Sequence, residues 1–285
     1  MKGRFAPSPT GVLHLGNLRT ALLAWLFARS AGSSFLVRVE DLDVGRVRPG
    51  LAEAQLGDMA ALGLDWDGEV VWQSSRTGLY AAALERLDVY ECFCTRAEIR
   101  ESASAAHGPV GAYPGTCRSL TAAERAARRA AGRVPALRVR ADGTCVSFVD
   151  RVLGPVSGVV DDFVVRRNDG AFAYNLAVVV DDGEQGVEEV VRGADLVDST
   201  PRQIWLSRAL GLPELSYAHV PLVLGADGQR LAKRHGDVTL RDVSPAAALA
   251  WMAASLGLVG STPYEMLASF DPGSVSREPT VFSGV

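Results

Sequence analysis

Residues 4–23 read RFAPSPTGVLHLGNLRTALL, a stretch that joins a short apolar segment to a turn and then to a periodic run. The segment PSPTG at 7–11 is rich in turn-forming residues. Over residues 18–29, apolar side chains recur with the spacing of one helical face: Leu18, Ala21, Leu22, Trp25 and Leu26. Gly32 then supplies a stop signal. The stretch therefore predicts a strand end, a tight turn and a helix.

A second strand is predicted after this helix, at residues 34–40 (SFLVRVE), where the sequence ends in an acidic cluster that includes Glu40. A strand, a turn, a helix and a strand in this order predict an α/β fold with parallel pairing. In such folds, ligands bind at the carboxyl ends of the strands, and a helix N-terminus presents free N–H groups to anions. We therefore expect His14 and Gly16 to face a phosphate group.

Composition narrows the class of protein. The chain has 285 residues, 48% of them hydrophobic, which suits one large domain with an insertion, or two domains. Four cysteines are too few for a disulfide framework and no cleavable leader precedes Lys2, so we expect a reducing, cytoplasmic compartment. Apolar windows such as 173–180 are too short to span a bilayer, so we expect no membrane contact. The formal net charge of −4 does not by itself indicate a nucleic-acid partner.

The middle of the chain predicts short elements. From Tyr90 to about Arg140 it is rich in Gly, Pro and short helical runs, with capping boxes at 95–98 and 121–124, and we interpret it as an insertion. Residues 163–174, FVVRRNDGAFAY, predict a hairpin. The apolar run at 177–180 fits a buried strand or a buried helix equally, because periodicity does not separate the two.

The α/β pattern then resumes. We predict a strand at 188–191, a helix from Thr200 to Gly211, and a further helix at 245–256. The Pro/Gly/Ser-rich tail from Asp271 is expected to be loosely held.

Two motifs indicate a phosphate-bearing substrate. A histidine in a turn such as His14 is by itself more often a surface residue or a helix cap. The segment RLAKRH at 230–235 adds a cation-rich loop after the apolar residues 220–224. Together, the residues at 14–17 and 230–234 resemble the HIGH and KMSKS motifs of class I aminoacyl-tRNA synthetases. The wider segments RFAPSPTG, VRVEDLD, FAYNLAVVVDD and VVRGADL are similar to those of the glutamyl-type enzymes of that class.

The resemblance implies a fold and a division of the chain. We expect an α/β, Rossmann-like class I synthetase catalytic domain with a small zinc-binding insertion, a short C-terminal segment resembling a stem-contact segment, and no anticodon-binding domain. The predicted boundaries are 1–86 for the first half of the catalytic domain, 87–160 for the insertion, 161–225 for the second half, and 226–285 for the KMSKS-type loop and the C-terminal segment.

Activation of an amino acid by ATP puts negative charge on the α-phosphate as pyrophosphate leaves, so the reaction needs positioned donors and cations and no protein nucleophile. By resemblance, His14 and Lys233 are the catalytic residues. The ATP-binding residues are His14, Gly16, Asn17, Arg230 and Lys233, with Mg²⁺ following from the chemistry.

Glutamate carries two carboxylates and an ammonium group, so its pocket needs cations and one anion. Arg4 and Arg192 are the natural carboxylate partners, and Glu40 is the natural ammonium partner. By resemblance, the glutamate-binding residues are Arg4, Phe5, Ala6, Pro7, Ser8, Glu40, Tyr174 and Arg192. Taken singly, each has a structural explanation as a surface charge, an ion-pair member or a hairpin residue.

The predicted loop departs from the family at two positions. Arg230 and Ala232 replace the usual lysine and serine. Arginine keeps the charge, whereas alanine removes a hydrogen bond. We expect activity to survive because Lys233 remains.

A cysteine cluster raises the question of a metal. Cys92, Cys94 and Cys117 are good Zn²⁺ ligands, and from the residues alone the fourth ligand could be His107 or water. The alternative is three buried thiols without a metal. The pattern C-x-C…Y-x-x-x-C is similar to the zinc site of glutamyl-Q tRNA(Asp) synthetases, and this resemblance implies one structural zinc held by Cys92, Cys94, Tyr113 and Cys117. Cys145 is expected to be a core residue of a strand.

One basic concentration remains open. It consists of Arg125, Arg128, Arg129, Arg133, Arg138 and Arg140. A solvated helix face and a nucleic-acid contact are both consistent with it.

The functional expectation follows from this resemblance. The glutamyl-Q enzymes activate L-glutamate with ATP without tRNA and transfer it to queuosine at the wobble position of tRNA(Asp), and we expect a monomer of this kind. The alternatives are a minimal glutamyl-tRNA synthetase that charges the tRNA 3′ end, and a catalytically silent protein that binds glutamate or its adenylate.

Overall fold

A parallel sheet forms the base of the molecule. The computed structural model describes residues 1–95, 97–99, 113–229, 231 and 238–282. The first three strands pair in parallel in the order β1 (Gly3–Phe5), β2 (Phe35–Val39) and β3 (Val71–Trp72). The strands β9 (Glu189–Gly193) and β10 (Ser216–Val220) form a second parallel pair. The N–H groups of Glu188 and Glu189 donate to the Lys2 carbonyl at 2.9 and 3.2 Å, so β9 lies beside the start of β1.

Helix α1 (Leu15–Ser30) confirms the predicted strand, turn and helix. It is buried on most of its surface: Trp25, Leu22 and Leu26 are fully excluded from solvent. A helix that is apolar nearly all round packs in the centre of a domain. It therefore forms the central core with β1, β2 and β9, and its N-terminus is held at the carboxyl edge of the sheet.

Seven further helices of at least five residues occur among the described residues. They are α2 (Leu51–Ala61), α3 (Thr77–Glu85), α4 (Ala122–Ala130), α5 (Tyr174–Glu184), α6 (Thr200–Ala209), α7 (Pro245–Leu256) and α8 (Pro263–Leu267). The run at 177–180 is thus helical, within α5. The predicted helices at 200–211 and 245–256 are confirmed, and no described helix is long and apolar enough to cross a membrane.

The segment between the parallel strands is antiparallel. The strands β4 (Val89–Cys92), β5 (Ala136–Val139) and β8 (Val164–Arg166) form one sheet, and β6 (Thr144–Asp150) pairs with β7 (Gly154–Val160) in a hairpin. Both predicted capping boxes are present, since Thr95 bonds reciprocally with Glu98, and Thr121 with Glu124.

Three expectations need correction or refinement. The hairpin at 163–174 forms, with Arg166 bridging Phe172, but Tyr174 begins α5 instead of ending a strand. Cys145 lies on β6 as expected, yet it is exposed, because it is on the outer face of the hairpin. The tail from Asp271 is not loose throughout, because β12 (Thr280–Val281) pairs with β11 (Val223–Leu224).

Candidate active site

A large cavity lies at the carboxyl edge of the parallel sheet, beside the N-terminus of α1. Its volume is about 610 Å³, and its walls come from the ends of β1, β2 and β9, from the PSPTG turn and from α5. Every glutamate-binding residue predicted from the sequence lines it: Arg4, Phe5, Ala6, Pro7, Ser8, Glu40, Tyr174 and Arg192. His14, Gly16 and Asn17 line it too. The chain folds so that these positions, distant in sequence, converge on one cavity.

The PSPTG turn is held by hydrogen bonds from two neighbouring elements. The N–H of Glu40 donates to the Pro7 carbonyl at 2.9 Å. The side-chain amide of Gln55, on α2, donates to the carbonyls of Ser8 and Gly11 at 3.1 and 2.6 Å. Gln55 is 2% exposed. Because these bonds fix the turn's backbone, its carbonyls and N–H groups keep one orientation toward the cavity.

His14 is the N-cap of α1 as well as a wall of the cavity. Its Nδ1 accepts from the Asn17 N–H at 3.3 Å, and the Asn17 Oδ1 accepts from the His14 N–H at 3.4 Å, which makes a reciprocal capping box. A neutral imidazole that accepts at Nδ1 carries its proton on Nε2. The cap therefore places the ring proton on the other nitrogen, a kind of donor that a phosphate oxygen accepts.

Gly16 makes room for this histidine. A Cβ on Gly16 would lie 3.1 Å from two ring atoms of His14 and 3.3 Å from the Cβ of Val223. Besides the expected approach of a nucleotide, the His14 ring is thus a local reason for a glycine at position 16. A side chain here would push the His14 ring out of its cap.

Arg4 belongs to a buried charge network. Its Nε donates to Asp182 at 3.2 Å, and Arg38 donates to the same carboxylate oxygen at 2.8 Å. Burial opposes ionisation of Asp182, but the Arg4 and Arg38 guanidinium groups hold the pKa of that carboxyl below its usual value. Arg38 also lies 3.5 Å from Glu40, whose pKa burial raises. The cavity wall therefore carries Arg4 and Glu40 side by side, oriented by Asp182 and Arg38.

Arg192 faces the same cavity from β9 and is 5% exposed. Its Nη1 donates to the Tyr174 hydroxyl at 3.3 Å and its Nη2 donates to Thr200 Oγ1 at 2.8 Å. Its Nε donates to His219 Nε2 at 3.1 Å. Three guanidinium groups (Arg4, Arg46 and Arg192) and two carboxylates (Glu40 and Asp195) thus border one cavity. Among them, Arg4, Arg192 and Glu40 form a charge pattern complementary to an amino-acid dicarboxylate.

The sequence analysis did not identify the residues that contact Arg4 and Arg192 on the side away from the cavity, or the partners of those residues. Asp182, Arg38, Thr200, His219 and Asp150 are all nearly or fully buried. A signal existed for one of them, because the run LAVVVDD ends an apolar helix with two acids. A buried acid needs a cationic partner.

The basic loop at 230–235 is only partly described. Arg230, Lys233 and Ala232 lie outside the described residues, and so does His107, the alternative metal ligand. The nearest described residues on either side of 232–237 lie close to the cavity. The Leu231 N–H donates to the Val223 carbonyl, and the Leu15 N–H donates to the Val238 carbonyl, both at 2.9 Å.

The cysteine cluster lies apart from this cavity, in the antiparallel segment. The Sγ atoms of Cys92, Cys94 and Cys117 lie within 4.8 Å of one another. The Tyr113 hydroxyl is 3.4 Å from the Cys92 sulfur and 3.9 Å from the Cys94 sulfur. The N–H groups of Phe93 and Cys117 donate to the Cys117 sulfur and to the Tyr113 oxygen, at 3.4 and 2.8 Å. The four predicted ligand atoms are therefore gathered around one point.

The arginine concentration is largely paired within the segment. Arg125 and Arg129 pair with Glu91, Arg133 pairs with Glu98, and Arg140 pairs with Asp88. Arg138 is buried and its guanidinium stacks 3.7 Å from the centre of the Tyr113 ring. These contacts favour a bracing role for the arginines over a free basic surface.

Comparisons with known proteins agree with this geometry. A family model described as tRNA synthetases class I (E and Q), catalytic domain, matches residues 1–268. A glutamyl-Q tRNA(Asp) synthetase of Nocardia farcinica is 60% identical over 99% of this chain and 93% of its own length. One of Symbiobacterium thermophilum is 50% identical over 97% of this chain and 94% of its own length.

Solved structures show the same fold. A glutamate tRNA ligase from Elizabethkingia meningosepticum, in complex with its amino acid, has a TM-score of 0.84 and 28% identity, and the match covers 99% of this chain and 67% of that one. A glutamate-tRNA synthetase from Elizabethkingia anophelis has a TM-score of 0.85 and 28% identity, and the match covers 100% of this chain and 68% of that one.

Proposed function

The chain belongs to the class I tRNA synthetase family of the E and Q type, and from this premise we propose that it activates L-glutamate with ATP and transfers it to queuosine in tRNA(Asp). It is a ligase. Its likeness to glutamyl-Q tRNA(Asp) synthetases over nearly the whole chain carries this proposal. We expect it to act in the cytoplasm, where ATP and tRNA are both present.

The charges of the cavity support glutamate as the amino acid. Arg4 and Arg192 supply two cations, and Glu40 supplies the anion for the ammonium group. Tyr174 adds a hydroxyl beside Arg192. Glutamine would replace one carboxylate by a neutral amide and leave one guanidinium without a counter-charge, which penalises it relative to glutamate.

The first step needs position and charge. The α-carboxylate of glutamate attacks the α-phosphorus of ATP, a bond to the carboxylate oxygen forms, and pyrophosphate leaves. The N-terminus of α1 and the Nε2 proton of His14 stabilise the added charge on the α-phosphate. Lys233 and Arg230 hold the departing phosphates, by the motif they resemble. Mg²⁺, when bound, neutralises phosphate charge.

In the second step, a hydroxyl of queuosine attacks the activated carboxyl of glutamyl-adenylate. An ester forms and AMP leaves with the electron pair of the broken anhydride bond. The protein again supplies no nucleophile. Because glutamyl-adenylate forms in this cavity, we place the second step in the same cavity.

The cysteine cluster fits one structural zinc. With Zn–S bonds of about 2.3 Å, the sulfurs of a tetrahedral site lie about 3.8 Å apart, and oxygen lies somewhat nearer. The Cys94 and Cys117 sulfurs are 3.5 Å apart, and the Tyr113 hydroxyl is 3.4 and 3.9 Å from two sulfurs. The N–H groups of Phe93 and Cys117 donate to the Cys117 sulfur and the Tyr113 oxygen, whereas burial raises the pKa of Tyr113 and of Cys94. Zinc would therefore have to displace protons from these two groups on binding. Zinc would hold the chain that follows β4 to the chain at 113–117.

The test is glutamate-dependent exchange between ATP and pyrophosphate without tRNA, with aspartate and glutamine as controls. Exchange with glutamate alone is expected, followed by transfer of labelled glutamate to tRNA(Asp) that contains queuosine and not to tRNA(Asp) that lacks it. Charging of tRNA(Glu) at its 3′ end would favour a minimal glutamyl-tRNA synthetase. Absence of exchange in folded protein would favour a silent binding protein.

A further inference from the structure

A buried histidine and a buried carboxylate lie behind Arg192, on the side away from the cavity. His219 on β10 and Asp150 at the end of β6 are 0% and 1% exposed. His219 Nδ1 lies 2.6 Å from Asp150 Oδ2, and Arg192 Nε donates to His219 Nε2 at 3.1 Å. The three side chains form a continuous line from the antiparallel hairpin to the cavity.

The hydrogen bonds determine the tautomer of His219. Arg192 has only donors, so His219 Nε2 must be an acceptor and cannot carry a proton. The Thr200 hydroxyl lies 3.0 Å from the same nitrogen and, with this tautomer, is a donor to it. The ring proton then lies on Nδ1, where the Asp150 carboxylate accepts it. Burial keeps the pKa of His219 below its ordinary value, which preserves the neutral ring.

The same contacts orient the guanidinium. Within the described part of the chain, the single N–H of Arg192 Nε donates to His219. One N–H of Nη1 donates to Tyr174, and one N–H of Nη2 donates to Thr200. A guanidinium has five N–H donors. One donor remains on each terminal nitrogen, and these two terminal nitrogens are the ones from which a guanidinium can donate a parallel pair of bonds to a carboxylate.

We propose that Asp150 and His219 are positioning residues that hold Arg192 ready for a substrate carboxylate. This inference rests on the proposed function, since it assigns the Arg192 fork to glutamate. Asp150 selects the Nδ1-protonated tautomer, His219 presents Nε2 to the guanidinium, and the fork faces the cavity. The amino-acid site is thereby coupled to the β6–β7 hairpin of the antiparallel segment.

A purely structural role of Asp150 is separable from this one. Its Oδ1 accepts from the N–H groups of Val152 and Leu153, both at 2.9 Å, and thus caps the turn after β6. In Asp150→Asn, the amide oxygen can keep those bonds, while the NH₂ group replaces Oδ2. That NH₂ must donate to His219 Nδ1, so the ring proton of His219 must move to Nε2. The Nε2–H would then face the N–H of Arg192 Nε, and two donors cannot form a hydrogen bond.

The experiment compares Asp150→Asn, His219→Asn and His219→Gln with the wild type in glutamate-dependent exchange. In His219→Asn, the amide can still pair with Asp150 but leaves Arg192 Nε without its acceptor. In His219→Gln, the longer side chain can place its amide oxygen where Nε2 was. The matched control is Asp162→Asn, a buried carboxylate that accepts the Ala141 N–H and lies outside the cavity.

We expect Asp150→Asn and His219→Asn to raise the KM for glutamate by roughly 10- to 100-fold, the usual effect of losing a residue that orients a ligand-binding group. The KM for ATP should change less than about twofold, because ATP does not depend on the Arg192 fork. His219→Gln should recover a large part of the loss, and Asp162→Asn should behave as wild type. Equal changes in both KM values, or a lower melting temperature with an unchanged KM for glutamate, would overturn the positioning role.

A second readout does not depend on activity. The chain has four histidines, and His219→Asn assigns the signal of one of them in a ¹⁵N spectrum of the ring nitrogens. The wild type should show the Nδ1-protonated tautomer, and Asp150→Asn the Nε2-protonated one. A wild-type ring protonated at Nε2 would overturn this inference alone, whereas absence of glutamate-dependent exchange in the wild type would overturn the proposed function.

Discussion

At the scale of the residue, Arg192 is the cation whose surroundings are most fully determined. His219, Thr200 and Tyr174 each accept one of its hydrogen bonds, and the guanidinium is almost entirely buried. A charge held this way costs little further ordering when it meets a carboxylate, because its rotamer is already selected.

Arg192→Lys should weaken glutamate use without unfolding the protein. Lysine keeps the charge but cannot reach three acceptors and a carboxylate at once. A charge-assisted hydrogen bond contributes about 1.5–3 kcal/mol, so kcat/KM for glutamate should fall at least tenfold in the exchange assay. Arg208→Lys is the control, because Arg208 is exposed and pairs with Glu214. An unchanged kcat/KM in Arg192→Lys would remove this residue from the site.

The second residue-scale prediction concerns two helical glycines. Gly16→Ala places a Cβ against the His14 ring and Val223, so the His14 cap should be displaced and exchange should slow markedly. Gly57→Ala, in α2, meets nothing within 4 Å and should stabilise the protein by about 0.5–1 kcal/mol. Melting temperature and exchange rate, measured on both variants, separate the two effects. A Gly16→Ala enzyme with the wild-type rate would contradict the role given to this contact.

At the scale of the element, the proposed zinc site in the antiparallel segment can be tested at its cysteines. Cys94→Ser should reduce the zinc that stays bound after dialysis against a weak chelator, since a hydroxyl is a poorer zinc ligand than a thiolate. Cys145→Ser is the matched control, because Cys145 is exposed on β6 and outside the cluster. Metal content by mass spectrometry decides the matter. Equal zinc in Cys94→Ser and the wild type would refute the assignment.

At the scale of the whole molecule, buried charges join strands β1 and β2 to helix α5. Arg4 and Arg38 come from β1 and β2, whereas Asp181 and Asp182 come from α5, more than a hundred residues later. Breaking such a network leaves a buried charge without a partner, which costs about 3–5 kcal/mol. These ion pairs therefore tie β1 and β2 to α5 beside the cavity.

This network predicts how stability depends on pH. The pKa of Asp182 is lowered in the folded protein, so its contribution is fully present above the unfolded value of about 3.9 and is lost as the pH falls through the lower folded value. Asp182→Asn should lower the free energy of unfolding at pH 7 and should show a shallower further loss between pH 5 and pH 3. Urea unfolding at several pH values measures both.

The control for this prediction is Asp43→Asn, which removes a half-exposed carboxylate that lies 3.4 Å from Arg167. It should change neither quantity by more than about 0.5 kcal/mol. An acid loss in Asp182→Asn as steep as in the wild type would mean that other carboxylates control acid unfolding.

Much of the fold could be predicted because it depends on local patterns. Each of these patterns spans only a few residues of the chain. They are the helical spacing from Leu18 onward, the capping boxes at Thr95 and Thr121, and the proline at the start of α6. The run at 177–180 could not be assigned, because an element buried on all sides has no polar face to reveal its period. Cys145 was misplaced for a related reason, since alternation does not say which face of a hairpin is covered.

The sequence by itself determined the family, the α/β order and the polar residues of the cavity. These features lie in short motifs, and the residue types in a motif indicate its chemistry without knowledge of the tertiary contacts. Only the tertiary structure decided how these residues are oriented. His14 proved to be a helix cap, Gly16 a space for its ring, and Arg192 one end of a line through His219 to Asp150. The physical reason is that a buried charge needs partners wherever the fold brings them, and a sequence does not specify which distant side chains will meet.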